Sequence, residues 1–188
     1  MKRGIFRSSC LACKRSIITG GPGSGKSTLL EALAAAGHVC YPEVSRELIR
    51  EQSALPQGVL PWSNLPAFAR LAFEAMMQQH DHALAAGAAC FFDRAIPDIF
   101  GYLQHGGYPV PEHYLEAHAR CSYERDLFML PPWPEIYVND LERPQSYEES
   151  VALYEALCRV YRSLGYRLHE VPKTSVEERT AYLFSVTK

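Results

Sequence analysis

The sequence holds 188 residues, the size of one ordinary domain, with 47% apolar and 21% charged side chains. That balance excludes disordered and fibrous classes, and no apolar run of about 18 residues is present to span a membrane. A formal net charge of −2 excludes a bulk nucleic-acid binder, although the charge is unevenly spread: Lys2, Arg3, Arg7, Lys14 and Arg15 precede any acid, which leaves the rest of the chain acidic.

The basic start is not followed by an apolar h-region, so a secretory signal is not expected, and residues 1–12 are expected to form a loose leader. Of the six cysteines, only Cys10 and Cys13 are close in sequence, and a lone C-x-x-C lacks the second ligand pair of a structural zinc. Cys40, Cys90 and Cys158 lie in apolar segments and read as buried thiols, a usage that suits a reducing cytoplasm.

Arg15–Thr19 is a short β-rich run that ends in glycines, the pattern of a buried strand. A helix is expected over Ser27–Ala36, with Leu29, Leu30 and Leu33 on one side and Gly37 as its stop. Val39–Tyr41 reads as a second strand closed by Pro42, and Val44–Gln52 as a helix. Ser53–Leu65, broken by Pro56, Gly58 and Pro61, reads as a loop. Pro66 then suits the first turn of a long helix to Ala86, with Gly87 as its stop.

Ala88–Phe92 is continuously apolar, as a strand covered on both faces should be. Helices are expected over Ile96–Gln104 and Glu112–Cys121, and a fourth strand over Asp126–Leu130, stopped by Pro131, Pro132 and Pro134. Tyr147–Leu164 has helical apolar spacing, Tyr166–Val171 reads as the fifth strand, and Ser175 with Glu178 forms a capping-box signature for a last helix. Strands alternating with helices predict an α/β fold: a parallel sheet covered on both faces, in a single domain over 13–188.

The strongest chemical signal is Gly20-Gly21-Pro22-Gly23-Ser24-Gly25-Lys26-Ser27, which fills the pattern G-x-x-x-x-G-K-[ST] between an expected strand and an expected helix. Glycines free the backbone to wrap a phosphate with successive N–H groups, and the helix N-terminus adds positive potential. These eight residues and Thr28 form the expected nucleotide site. Lys26 would reach the β- and γ-phosphates of a nucleoside triphosphate, and the Ser27 hydroxyl would ligate Mg²⁺. No N-K-x-D guanine motif is present, which favours ATP. Asp93 closes the apolar run Phe91-Phe92 at the carboxyl end of a strand, where it would hold Mg²⁺ or, alternatively, cap the next helix. Arg94 directly after it is a candidate substrate contact.

The stretch ITGGPGSGKSTLLEAL, with YPEVSREL, FFDRAIPD and LPPWPEIYVNDLER, resembles a bacterial family of P-loop ATPases or kinases grouped under the AAA heading. That family is similar to the nicotinamide-riboside kinase domain of NAD-biosynthesis regulators, and the resemblance covers residues 15–188. It implies a three-layer P-loop fold of the nucleoside/nucleotide-kinase type, with a five-stranded parallel sheet in the order 2-3-1-4-5. The chain leaves little room for the helical lid domain of ring-forming AAA proteins, so a remodelling motor is not expected.

Deoxynucleoside kinases look similar at Glu43, which follows the second strand, with Arg46 and Glu47 a turn later. The likeness implies an acid there that takes the proton of an attacking hydroxyl, and an acid–arginine pair after the third strand. Glu43 is thus a candidate base, although a helix N-terminal acid favoured by the dipole reads the same way. Which of Glu43 and Asp93 meets the metal stays open. Arg46 and Asp98 are further candidate acceptor contacts. The segment near 134–146 is where P-loop kinases place a lid, and Arg143 is the candidate to close over the phosphoryl group, with Arg120 and Arg125 in reserve. Trp62 and Trp133 flank proline loops and would wall an acceptor pocket or pack at its rim, and the histidines read as structural.

The expected activity is an ATP- and Mg²⁺-dependent transfer of phosphate to a hydroxyl of a small nucleoside-like molecule. The alternative is a nucleotide-dependent switch module that binds a protein or lipid partner.

Overall fold

The computed structural model describes residues 14–138 and 146–186. Residues 1–13, which take in the expected leader at 1–12 and both Cys10 and Cys13, and residues 139–145 of the expected lid, with Arg143, lie outside the described residues. Five strands, β1 (Arg15–Gly20), β2 (Val39–Tyr41), β3 (Cys90–Asp93), β4 (Asp126–Leu130) and β5 (Arg167–Glu170), form one sheet in the order β2-β3-β1-β4-β5. Every pairing is parallel, from Val39 opposite Cys90 at one edge to Glu170 opposite Met129 at the other.

The described helices are α1 (Lys26–Ala35), α2 (Val44–Ser53), α3 (Leu65–Ala86), α4 (Ile96–His105), α5 (Glu112–Arg120), α6 (Tyr147–Ser163) and α7 (Val176–Val186). Alternation along the strands sorts the core onto two faces. Ile17, Phe92, Leu127 and Met129 point into a cluster with α3 to α6, while Ile18, Phe91, Phe128 and Leu130 meet Leu29, Leu30 and Leu33 of α1 and Leu183 of α7. The sheet is therefore the middle of three layers.

Helix ends follow local chemistry. The Asn64 side chain accepts the Ala67 N–H (3.2 Å) at the start of α3, which ends at Gly87 with φ +64. Ser146 and Glu149 exchange capping bonds at the start of α6 (2.6 and 3.2 Å). Expectation is corrected at two strands and at one thiol. β3 begins at Cys90 and not at Ala88, because pairing with β1 starts where Arg15 meets Cys90; it extends to Asp93. Edge strand β5 is shorter than Tyr166–Val171, being paired only to β4 between Arg167 and Glu170. Cys40, expected buried, is partly exposed because β2 is an edge strand, whereas Cys90 and Cys158 are buried.

Candidate active site

All strands run the same way, so their carboxyl ends meet on one edge, and the β1–α1 loop, Glu43, Asp93 and Arg94 all emerge there. A cavity of about 710 Å³ opens at this edge, within the range of about 300–1,000 Å³ usual for small-molecule sites. Pro22–Thr28 line one part of it with Trp133, Ile136 and Arg179; Glu43, Arg46, Trp62, Phe68, Arg94 and Tyr102 line another.

The loop from Gly20 to Gly25 wraps because its glycines take backbone angles closed to other residues. Gly23 has φ +72, and a Cβ there would collide with the Tyr137 ring. Gly25 has φ +78 at the N-cap of α1, where no side chain caps the helix. The backbone N–H groups of that first turn are thus directed by the loop itself, the arrangement that serves a phosphate. Ser27 and Thr28 are exposed at this helix start.

Lys26 is buried, and its ammonium donates to Gly20 O (3.1 Å), Gly21 O (2.9 Å) and Ser24 Oγ (3.4 Å). Burial, and then the charge of Arg94, push its pKa down to about 8 against the pull of Asp93, Glu43 and Asp98. Asp93 is the opposite case: burial and the neighbouring Glu43 push its carboxyl up to about 6, although Lys26 and Arg94 oppose the rise. Its Oδ1 is buried without a hydrogen-bond partner, and Asp93 does not itself line the cavity.

That lone oxygen and the Ser27 hydroxyl fit Mg²⁺, a hard cation that takes one or two protein oxygens and completes its shell with phosphate and water. Among the described residues no cluster of three or more His, Cys, Asp or Glu side chains suits a metal, so a cage built by protein alone is not expected.

Arg94 is the centre of the other part. Among the described residues it is the one non-glycine with positive φ (+69), a conformation that persists only where the surroundings enforce it. Its N–H donates to Ile18 O (2.9 Å), its Nε to Glu43 Oε1 (2.8 Å), and its Nη1 to Gly20 O (3.0 Å) and Asp98 Oδ1 (3.2 Å). Its guanidinium also stacks over Tyr102 at 5.4 Å. Burial would raise the Glu43 pKa, but Arg94, Lys26 and Arg46 together hold it below its ordinary value, so Glu43 is a carboxylate at neutral pH. Arg46 Nε lies 3.7 Å from Glu43 Oε2.

Ser27, Glu43, Arg46, Arg94 and Asp98 are thus brought to one cavity. Asp98, expected to reach an acceptor, is only 1% exposed and spends both oxygens on bonds within the protein. Arg120 and Arg125 are corrected as reserve lid cations. α5 runs back to the start of β4, so both lie toward the opposite edge of the sheet; Arg125 donates to Leu164 O (3.1 Å) and stacks on Tyr166. His80 and His118 are buried in a cluster with Tyr123 and Tyr166, consistent with structural roles.

Arg179 escaped the sequence reading. It is buried, donates to Gly25 O (3.1 Å) and sits over the Trp133 ring at 5.7 Å. Its signal was position: it stands four residues before buried Leu183, so a charged residue occupies the apolar face of α7.

Parallel sheet order, phosphate loop and shared cavity define a P-loop protein of the nucleoside/nucleotide-kinase fold. Residues 15–179 match the family described as AAA domain (AAA_28), and the chain belongs to that family. No curated protein sequence matches it. Among solved structures it is similar in fold to thymidylate kinase from Ehrlichia chaffeensis (18% identity, TM-score 0.60, covering 93% of this chain and 100% of that one). It is likewise similar to deoxyadenosine kinase from M. mycoides, solved with products dCMP and dCDP (14%, TM-score 0.65, 92% and 97%). A third likeness is to NadR protein in complex with NR (13%, TM-score 0.68, 94% of this chain and 50% of that one).

Proposed function

We propose that this protein transfers the γ-phosphoryl group of ATP to a hydroxyl of a small nucleoside-like acceptor. The observation that carries the reading is one cavity in which the phosphate loop faces Glu43, a partly buried carboxylate oriented by Arg94. Mg²⁺, held by Ser27 and Asp93, would neutralise charge on the phosphates. Lys26 has only to turn from its own loop carbonyls to reach them, and Glu43 is ionised and placed to take the proton from the attacking hydroxyl. Arg143 would add charge from the lid.

The cations around the cavity bear on the class of acceptor. Arg46 and Arg94 both face Glu43, so a phosphate already on the acceptor would compete with that carboxylate. The apolar wall of Trp62, Leu65, Phe68, Ala72 and Ile99 suits a ring that is not charged. These points favour a phosphate-free acceptor.

The test is ATP consumption with Mg²⁺ against nucleosides, other ribosides and related vitamins, beside their monophosphates and a blank. Strong stimulation by a phosphate-free acceptor is expected. A slow rate indifferent to every compound would overturn the kinase reading and favour the switch alternative.

A further inference from the structure

Asp98 carries more hydrogen bonds than any role as a surface or capping acid requires. Its Oδ1 accepts from Thr19 Oγ1 and from Arg94 Nη1 (3.2 Å); its Oδ2 accepts from the Ala95 N–H (3.0 Å) and from the Tyr161 hydroxyl (2.5 Å). A carboxylate offers about four acceptor sites, so this one is filled. The donors come from three places: the end of β1, the turn between β3 and α4, and the last turn of α6.

α6 touches the phosphate loop as well. Ser150, one turn from its start, donates to Pro22 O (2.8 Å), and Gly21 packs so tightly on Ser150 that a Cβ would come within 2.7 Å of its oxygens. Tyr161 lies eleven residues further along the same rigid rod, roughly 16 Å away. One helix therefore grips the donor loop at one end and, at the other, the carboxylate that holds Arg94 against Glu43. Tyr161 is fully buried, and its phenol is held well above its ordinary pKa by burial and by Asp98, so it donates at every working pH.

We propose that Asp98 and Tyr161 are positioning residues: they hold Arg94, and through it Glu43, in register with the phosphate loop without touching either substrate. This inference rests on the phosphotransferase reading for its kinetic consequence, and its geometric content can be tested apart from activity.

The test variant is Tyr161→Phe, which keeps the ring in the core and deletes one donor. Thr19→Val serves as the second, deleting another donor to the same carboxylate. In both, kcat/KM for the acceptor is expected to fall about ten-fold, as for a displaced group near the reacting atoms. Affinity for an unreactive ATP analogue should move less than about two-fold, because the phosphate loop keeps its own contacts.

Activity is not the sole readout. The Arg94 Nε–H, seen by ¹⁵N NMR, should be protected from exchange in the parent and lose that protection about ten-fold in each variant. Equal losses for acceptor and ATP analogue, or an Arg94 signal unchanged in both variants, would overturn the proposal. If the parent protein transfers phosphate to no acceptor while Arg94 responds as stated, the positioning geometry stands and the phosphotransferase reading falls.

Discussion

Lys26→Met separates what this lysine does for catalysis from what it does for the fold. The substitution keeps most of the side-chain length and removes the charge. Burial and Arg94 lower the ammonium pKa from 10.5 to about 8, so holding that charge in the folded protein costs roughly 3 kcal/mol relative to water. Against this gain, three acceptors lose a donor: Gly20 O, Gly21 O and Ser24 Oγ. An acceptor left wholly unsatisfied costs about 1–3 kcal/mol. Two of these keep a partner, however, since Gly20 O still accepts from Arg94 (3.0 Å) and Gly21 O from Ser24 Oγ (2.9 Å).

The two sides nearly cancel, and Tm should stay within about 5 °C of the parent. Transfer behaves differently. Removing a fixed charge from the developing phosphoryl charge costs about 3–4 kcal/mol, a loss of at least about 10² in kcat. Differential scanning calorimetry gives the first quantity and acceptor-stimulated ATP consumption the second. Turnover within ten-fold of the parent would refute the assignment of Lys26 to the phosphates. A fall in Tm beyond about 10 °C would show that the lysine is chiefly structural.

Gly23→Ala must place a Cβ at φ +72 against the Tyr137 ring, a strain of about 1–2 kcal/mol before any clash. Titration calorimetry with Mg·ADP should show at least ten-fold weaker binding, and an unchanged Kd would contradict the loop's role. Arg179→Met should leave the fold intact but weaken nucleotide binding several-fold by loosening the Gly25 carbonyl. Parent-like affinity would remove Arg179 from the site. His118, pushed down to about 4 by burial and by Arg125 and His80, is neutral in the folded state and titrates near 6.5 when unfolded. Its contribution, up to about 3 kcal/mol, is therefore present above pH 6.5 and is lost as pH falls toward 4. Asp93, raised to about 6, pulls the other way, so the comparison is between variants: His118→Gln should lose less Tm than the parent between pH 7.5 and 5. Parallel curves would refute it.

Much of this molecule was legible without coordinates because its signals are local. Val39–Tyr41 and Asp126–Leu130 were bounded correctly by apolar runs and prolines, and the phosphate loop by glycines that its positive φ angles require. The sheet order came from the family resemblance and not from strand patterns, which say nothing of neighbours. Boundaries failed where pairing decides them, at Ala88–Ala89 and at Val171, since a strand ends where its partner does.

Site chemistry divides along the same line. Sequence pattern determined which residues stand at the carboxyl ends of strands, because periodicity and turn chemistry act over a few residues. Tertiary structure alone decided what those residues touch. Arg94 reaches Glu43 across 51 positions, Tyr161 reaches Asp98 across 63, and Arg179 reaches Gly25 across 154. It was this packing that gave the Asp98 carboxylate four donors, two of them from distant segments, and set Arg125 against Leu164 and Tyr166, away from the cavity. The physical reason is that a buried charge needs partners, and those partners are supplied by whichever distant segment the fold brings within about 3 Å.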